Sequence, residues 1–254
     1  TNIFYNRAKK KPEENMEEKR LRSGFTTGAC ATAAARAAAV FLLRGTLPER
    51  VEVILPEGQS AVWKPEYESE QPCQGYLRVQ KDAGDDPDVT HGSWVYARVT
   101  ILTEVELETK RQTGSGYWLE EYPEVYLDGG IGIGIATKPG LSCPVGHYAI
   151  NPVPRKMILS AVDAERDRLG FRGCLGIQIA IPSGVELAKK TFNPKLGIQG
   201  GISVLGTTGI VKPMSEEALL ATIRLDIHMK TVANENVLLM APGNYGETFL
   251  REAM

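Results

Sequence analysis

The chain has 254 residues, of which 43% are hydrophobic and 24% charged, with a formal net charge of −2. That length and apolar content suit a buried core in one large or two modest domains, and the near-neutral balance excludes a global electrostatic grip on nucleic acid. No apolar run reaches membrane-spanning length, since Arg36 interrupts the longest, Ala29 to Leu43, so no membrane partner is expected.

The first twenty residues are charged and do not form a signal peptide; they predict a flexible arm over 1–20 with almost nothing apolar to bury. Thr1 is not an initiator methionine, which predicts a trimmed or unshown amino terminus. Four cysteines, Cys30, Cys73, Cys143 and Cys174, lie far apart without a C-x-x-C pair. That spacing fits neither a zinc site nor a disulfide scaffold, so reduced thiols, no bound metal and a cytoplasmic location are expected.

The alanine-rich stretch Ala29 to Leu43 predicts a helix stopped by Gly45 and Pro48. Val51 to Leu55 alternates with acidic residues and predicts a strand ended by Pro56-Glu57-Gly58. Tyr76–Gln80 and Val95–Val105 predict strands on either side of the acidic loop 82–92, and Gln112 to Gly116 a polar turn. Ile131 to Ala136 is a glycine-laced strand or loop that leads to a turn at Pro139-Gly140. Pro154 to Leu169 has helical periodicity, with Met157, Ile158, Ala161 and Val162 on one side and Asp163, Glu165 and Arg166 outward. Leu175–Ile181 predicts a buried strand and Gly184–Lys190 a short helix.

Asn193-Pro194 marks the expected domain boundary. Beyond it come a strand (202–205), a glycine turn, a helix (215–230), a strand (237–241), a second glycine turn (Pro242 to Gly246) and a helix from Glu247. That alternation predicts a parallel sheet with crossover helices. The expected fold is an α+β domain over 21–195 followed by a truncated, Rossmann-like α/β domain over 196–254. Two strands cannot cover a doubly wound sheet, so the second domain is expected to be incomplete at its carboxy terminus.

Five segments could carry chemistry. Lys195 to Glu217 packs Gly200, Gly201, Gly206 and Gly209 around the apolar run Ile202 to Leu205, and a helix opens at Ser215-Glu216-Glu217. Glycine permits positive φ and the close approach of a ligand to the backbone. Thr26, Thr27 and Gly28 open a helix with no acid in its first turn, near Arg22 and Arg36, which makes a seat for a carboxylate or phosphate. A threonine cap over a close-packed alanine face is the other reading of the same residues. The loop KDAGDDPDVTHG gathers Asp82, Asp85, Asp86, Asp88 and His91. An EF-hand register from Asp86 puts His91 at the obligatory glycine, so a calcium loop fails; a solvated acidic turn or an active-site loop with a proton acceptor remains. DGGIGIGIATKPGL lacks the dinucleotide fingerprint spacing, and Lys138 there is a candidate anion contact. The turn Gly243-Asn244-Tyr245-Gly246, followed by Glu247, could face a cationic group.

The stretches RSGFTTGACATAAA, KDAGDDPDVTHG, ATKPGL, PVG, AINPVPR, ELAKKTFNPKLGIQGGISVLGTTGIVKPMSEEA and APGNYG, in this order, resemble the cobalt-precorrin-5B C-1 methyltransferase family of the anaerobic route to vitamin B12. The resemblance implies transfer of a methyl group from S-adenosyl-L-methionine to ring carbon C-1 of a cobalt tetrapyrrole, giving cobalt-precorrin-6A. It also implies a small-molecule partner, is compatible with a homo-oligomer, and implies a chain that continues past Met254. The polycarboxylate substrate would be held by Arg22, Thr26, Thr27, Gly28, Arg36, Lys138 and Arg155. The cationic donor would lie against the turns Gly206-Thr207-Thr208-Gly209 and Gly243-Asn244-Tyr245-Gly246. A base would come from His91, Asp85, Asp86 or Asp88. A non-catalytic tetrapyrrole carrier, and a sugar- or nucleoside-binding α/β enzyme, are the alternatives that the same turns permit.

Overall fold

The computed structural model describes residues 21–67 and 75–234. The arm at 1–20, Cys73, the strand expected at 237–241, the turn Pro242 to Gly246 and the helix from Glu247 lie outside the described residues. In chain order the strands are β1 (Gly24–Phe25), β2 (Val51–Ile54), β3 (Ser60–Trp63), β4 (Tyr76–Gln80), β5 (Trp94–Leu102), β6 (Tyr117–Leu119) and β7 (Tyr122–Gly129). There follow β8 (Gly132–Ile133), β9 (Ile135–Ala136), β10 (Cys174–Ala180), β11 (Ile198–Gln199), β12 (Gly201–Ile202) and β13 (Ile210–Val211). The helices are α1 (Thr27–Arg44), α2 (Glu104–Thr113), α3 (Pro152–Arg168), α4 (Gly184–Leu187) and α5 (Glu216–Val232).

A mixed five-stranded sheet in the order β4-β5-β10-β7-β6 forms the centre. Its only parallel pairing joins β10 to β7, with Ile177 opposite Leu127; β4–β5, β5–β10 and β7–β6 are antiparallel. Helices α1 and α3 cover one face. Strand alternation aims Val79, Ala97, Val99, Leu127 and Ile177 at them. Ala29, Ala31, Ala33 to Ala35 and Ala37 to Ala39 of α1 are all fully buried, because a side chain of one methyl lets the helix lie close to both the sheet and α3. Thr26 caps α1 by accepting from the Ala29 N–H, and Gly45 ends it in the left-handed region at φ 73°. The opposite face of the sheet carries α2, through Leu107 against Tyr126 and Cys174.

The predicted elements hold in most places, but Glu165 and Arg166, expected outward on α3, are buried, the turn expected from Gln112 starts only after Thr113, and three elements shift. The strand expected to reach Val105 stops at Leu102, because Thr103 and Glu106 form a reciprocal capping box that starts α2. The strand expected over 202–205 reduces to β12, with Val204 only bridging Ile150. The short helix at 184–190 is α4 continued by a 3-10 turn, Ala188–Lys190.

The expected boundary at 195 does not separate two hydrogen-bonded bodies. Strand β11 pairs with β9, β12 with β8 and β13 with β1, so residues 198–211 are stitched into the 21–195 unit. Of α5, only Met229 is buried, near Gly140. Cys30, Cys143 and Cys174 are free and buried; burial pushes the Cys30 thiol up to about 12.

Candidate ligand-binding site

Three of the singled-out stretches meet at the amino-terminal end of α1. Strand β1 enters between β13 and the acidic loop: Phe25 N–H donates to the Asp82 carbonyl at 2.7 Å, and Thr26 N–H to the Gly209 carbonyl at 3.0 Å. Ser23 bridges Gly84, and the Arg22 N–H donates to Asp85 Oδ2 at 2.6 Å while the Asp85 N–H returns a bond to the Arg22 carbonyl at 2.9 Å. The Met214 N–H, just before α5, donates to Asp86 Oδ1 at 3.0 Å. One acidic loop thus holds the entry to α1 and the approach to α5.

The carboxylates of this loop are mostly committed. Asp82 receives both terminal guanidinium nitrogens of Arg22, at 2.5 and 2.9 Å, and the Gly84 N–H at 2.9 Å. Those bonds, the Arg22 side chain first, hold its carboxyl down to about 2. Asp88 pairs with Lys81 at 2.6 Å and also accepts from the Thr90 N–H and hydroxyl. Burial raises the Asp88 carboxyl, but the Lys81 charge and these bonds outweigh it and leave it lowered. Lys81 itself is 1% exposed, so its buried ammonium pins the half-buried Asp88 from beneath the loop. Asp85 and Asp86 each spend one oxygen on a backbone N–H and have no partner for the other among the described residues.

His91 does not present an acceptor. Its Nδ1 accepts from the Ala83 N–H at 3.1 Å, so the neutral ring carries its proton on Nε2 and offers a donor outward. The expectation of His91 as a base is corrected by that bond, and that of Asp88 by its ion pair with the buried Lys81 and its bonds from Thr90.

The anion seat expected at Thr26, Thr27 and Gly28 is closed. The Gly28 N–H donates to the Leu205 carbonyl at 2.8 Å, the Ala29 N–H to Thr26 Oγ1 at 3.2 Å, and Thr27 is buried. The threonine cap is the reading that fits. The turn over it was expected to leave room for a donor molecule, yet its glycines are occupied from within. A Cβ at Gly206, whose φ is +138°, would lie 2.2 Å from Thr26 Oγ1, and one at Gly209 would lie 2.7 Å from Leu55. Thr208 bonds to Ile210, and Thr207 is exposed. The described turn therefore does not fit a cradle for S-adenosyl-L-methionine, and Gly243, Asn244, Tyr245 and Gly246 lie outside the described residues.

The expected cations scatter. Arg155 lies 3.7 Å over the Tyr117 ring and donates to the Ile150 and Ser142 carbonyls, so it ties the loop before α3 rather than facing a ligand. Lys138 packs over Gly197. Arg36 binds Glu165 at 2.8 Å and the Glu52 carbonyl, at the edge of an open groove of about 640 Å³. Val53, Ile54 and Pro56 form one wall and Val153, Met157, Ala161 and Ala164 of α3 the other. Lys156 and Ser160 also line it, and sequence reasoning missed both. The helical period carried the signal, since 153, 156, 157, 160 and 164 share a face of α3 that excludes Arg155. Among the described residues no group of three or more His, Cys, Asp or Glu could hold a metal ion, and no helix is long and apolar enough to cross a membrane.

The family model named CbiD matches residues 14–213, a span that contains the first two converging stretches and the third as far as Pro213. The chain belongs to the CbiD family. Among CbiD relatives, a cobalt-precorrin-5B C(1)-methyltransferase of Ruminiclostridium cellulolyticum is 44% identical over 232 residues, covering 91% of this chain and 55% of that protein. One of the same name from Prosthecochloris aestuarii is 42% identical over 233 residues, covering 91% and 58%. The chain thus spans little more than half the length of these relatives. A 1.9 Å crystal structure of the cobalamin biosynthesis protein CbiD from Archaeoglobus fulgidus shares the fold with a TM-score of 0.58 and 32% identity, over 81% of this chain and 59% of that one.

Proposed function

We propose that this CbiD chain is a cytoplasmic methyltransferase that methylates C-1 of cobalt-precorrin-5B to give cobalt-precorrin-6A. The observation that carries the reading is the match over 14–213 to a family whose similar relatives bear that activity's name. The methyl donor is S-adenosyl-L-methionine. When bound, its sulfonium gives up the methyl with the C–S electron pair staying on sulfur, so the chain needs no nucleophile of its own. Holding and desolvating the substrate is then the work of the protein, and correct orientation alone lowers a barrier by roughly 7–11 kcal/mol.

The described residues contribute to this in a limited way. Asp85 and Asp86, each with one free oxygen, are the groups that can take a proton at the junction of the three stretches. The donor's seat is proposed at Gly243, Asn244, Tyr245 and Gly246, and the boundary of the proposed Rossmann-like α/β unit moves from 195 to about residue 212, since β13 still pairs with β1.

The test is incubation of the chain with cobalt-precorrin-5B and methyl-labelled S-adenosyl-L-methionine, followed by mass spectrometry of the tetrapyrrole. Label in the tetrapyrrole is the expected result. Tight tetrapyrrole binding without transfer, at full donor concentration, would leave the carrier function in its place.

A further inference from the structure

We infer that the groove between α3, α1 and the β2–β3 hairpin seats the flat face of an anionic tetrapyrrole, with Lys156 and Arg36 taking its side-chain carboxylates. This deepens the methyltransferase reading and rests on it for the identity of the ligand. The argument starts from the lining. Val53, Ile54, Pro56, Val153, Met157 and Ala161 are apolar, and among the described residues the charged side chains that line it are Arg36 and Lys156, with no carboxylate. An apolar trough with cations and no acid suits a macrocycle that is apolar on its faces and acidic around its edge.

The walls are built for a flat guest. Ser160, Ala161 and Ala164 recur at helical spacing on α3 and keep that wall shallow. Ile54, at the rim of the hairpin, is 72% exposed, although its neighbour Val53 is buried. A large aliphatic side chain held open beside a groove gains its burial from whatever fills that groove. The Ser160 hydroxyl has no hydrogen-bond partner among the described residues.

The cations can serve a ligand. Glu165 is 3% exposed and is shared between Arg36 at 2.8 Å and Arg168 at 2.7 Å, so two guanidinium groups meet one carboxylate and positive charge is left over. Lys156 pairs with Glu121 at 3.1 Å, with both side chains more than half exposed. Such a pair is held weakly and yields to a better-placed carboxylate. Placement agrees with the site described above. Leu55, between Ile54 and Pro56, packs on Gly209, and Pro154, next to Val153, packs on Gly28. The groove thus backs onto the junction of the three stretches.

The test uses the whole chain and cobyrinic acid, a cobalt corrin with free carboxylates, with binding read by isothermal titration calorimetry. Ala161→Trp should abolish binding by filling the trough, and Lys156→Glu, a surface change that leaves the fold intact, should weaken it about tenfold or more. Circular dichroism and the thermal midpoint check that both variants fold. Failure of the unmodified chain to bind the corrin, or unchanged binding by folded Lys156→Glu, overturns the inference. Label transfer with unchanged binding in both variants would sink the groove and keep the methyltransferase. Loss of binding in the variants without label transfer by the unmodified chain would keep the groove and sink the methyltransferase.

Discussion

Gly206 decides how the turn over α1 is made. Its φ of +138° and the 2.2 Å approach to Thr26 that a Cβ would make are two separate demands for glycine. Gly206→Ala should cost about 1–3 kcal/mol and lower the urea midpoint, since backbone strain and displacement of the α1 cap add. Gly200 is the control: φ is +81° but nothing lies within 4 Å, so Gly200→Ala should cost only about 1–2 kcal/mol from the left-handed conformation. A cost at Gly206 no larger than at Gly200 would mean that Thr26 moves freely. Asp82 belongs to the same scale. Its carboxyl lies below the unfolded value, so the stability it contributes is present above about pH 4 and is lost as the pH falls through about 2. Its side chain is 46% exposed, so salt screens the effect and the loss should shrink at high ionic strength. Acid unfolding of Asp82→Asn at low and high salt checks this; a variant with the same acid limb at low salt would contradict it.

At the scale of elements, α2 and α1 stand for two ways of holding a helix. Leu107 is the only buried residue of α2, so its ends matter: Thr103 accepts from the Glu106 N–H at 3.2 Å while Glu106 accepts from the Thr103 N–H at 2.7 Å. Thr103→Ala should lower stability by about 0.5–2 kcal/mol, read by chemical denaturation. Helix α1 is held by its sides instead. Ala34 is fully buried in the central cluster, and Ala34→Leu has no space to enter, so an overpacking cost of about 1–3 kcal/mol is expected. Had α1 been a loosely packed surface helix, that substitution would raise its helix content without penalty. The capping box was legible as T-x-x-E, yet the β-branched run of β5 led the strand past Thr103, because strand propensity persists across a cap unless the cap is weighed first.

Across the whole molecule, stability is uneven. Helix α1, β5, β7 and β10 share one buried cluster, whereas α5 exposes Leu219, Leu220 and Ile223 and buries only Met229. Amide exchange in α1 and β10 should follow global unfolding, and exchange in α5 should occur by local opening orders of magnitude faster. Equal protection in both would mean that α5 is part of the cooperative unit. Leu219→Ala should change stability by no more than about 0.5 kcal/mol, the range of a surface change.

Taken alone, the amino-acid sequence determined what short-range physics controls. Helix α1 follows from alanine content, α3 from the period of 3.6, α5 from its Ser215-Glu216-Glu217 opening, β2 from alternation, and the turns from glycine and proline. It also carried enough unusual stretches to place the chain near its family. Tertiary structure decided what those stretches face. The space beside Gly206 is filled by Thr26, the Gly28 N–H is taken by Leu205, and His91 is turned donor-outward by Ala83, and each partner lies on another element or across a loop. The same holds for charge: Arg155 and Lys156 are adjacent in sequence, but one helical step of about 100° sends the first under Tyr117 and the second into the groove. A pattern of residue types specifies a local conformation, whereas the contents of a pocket depend on which distant segments the sheet brings together.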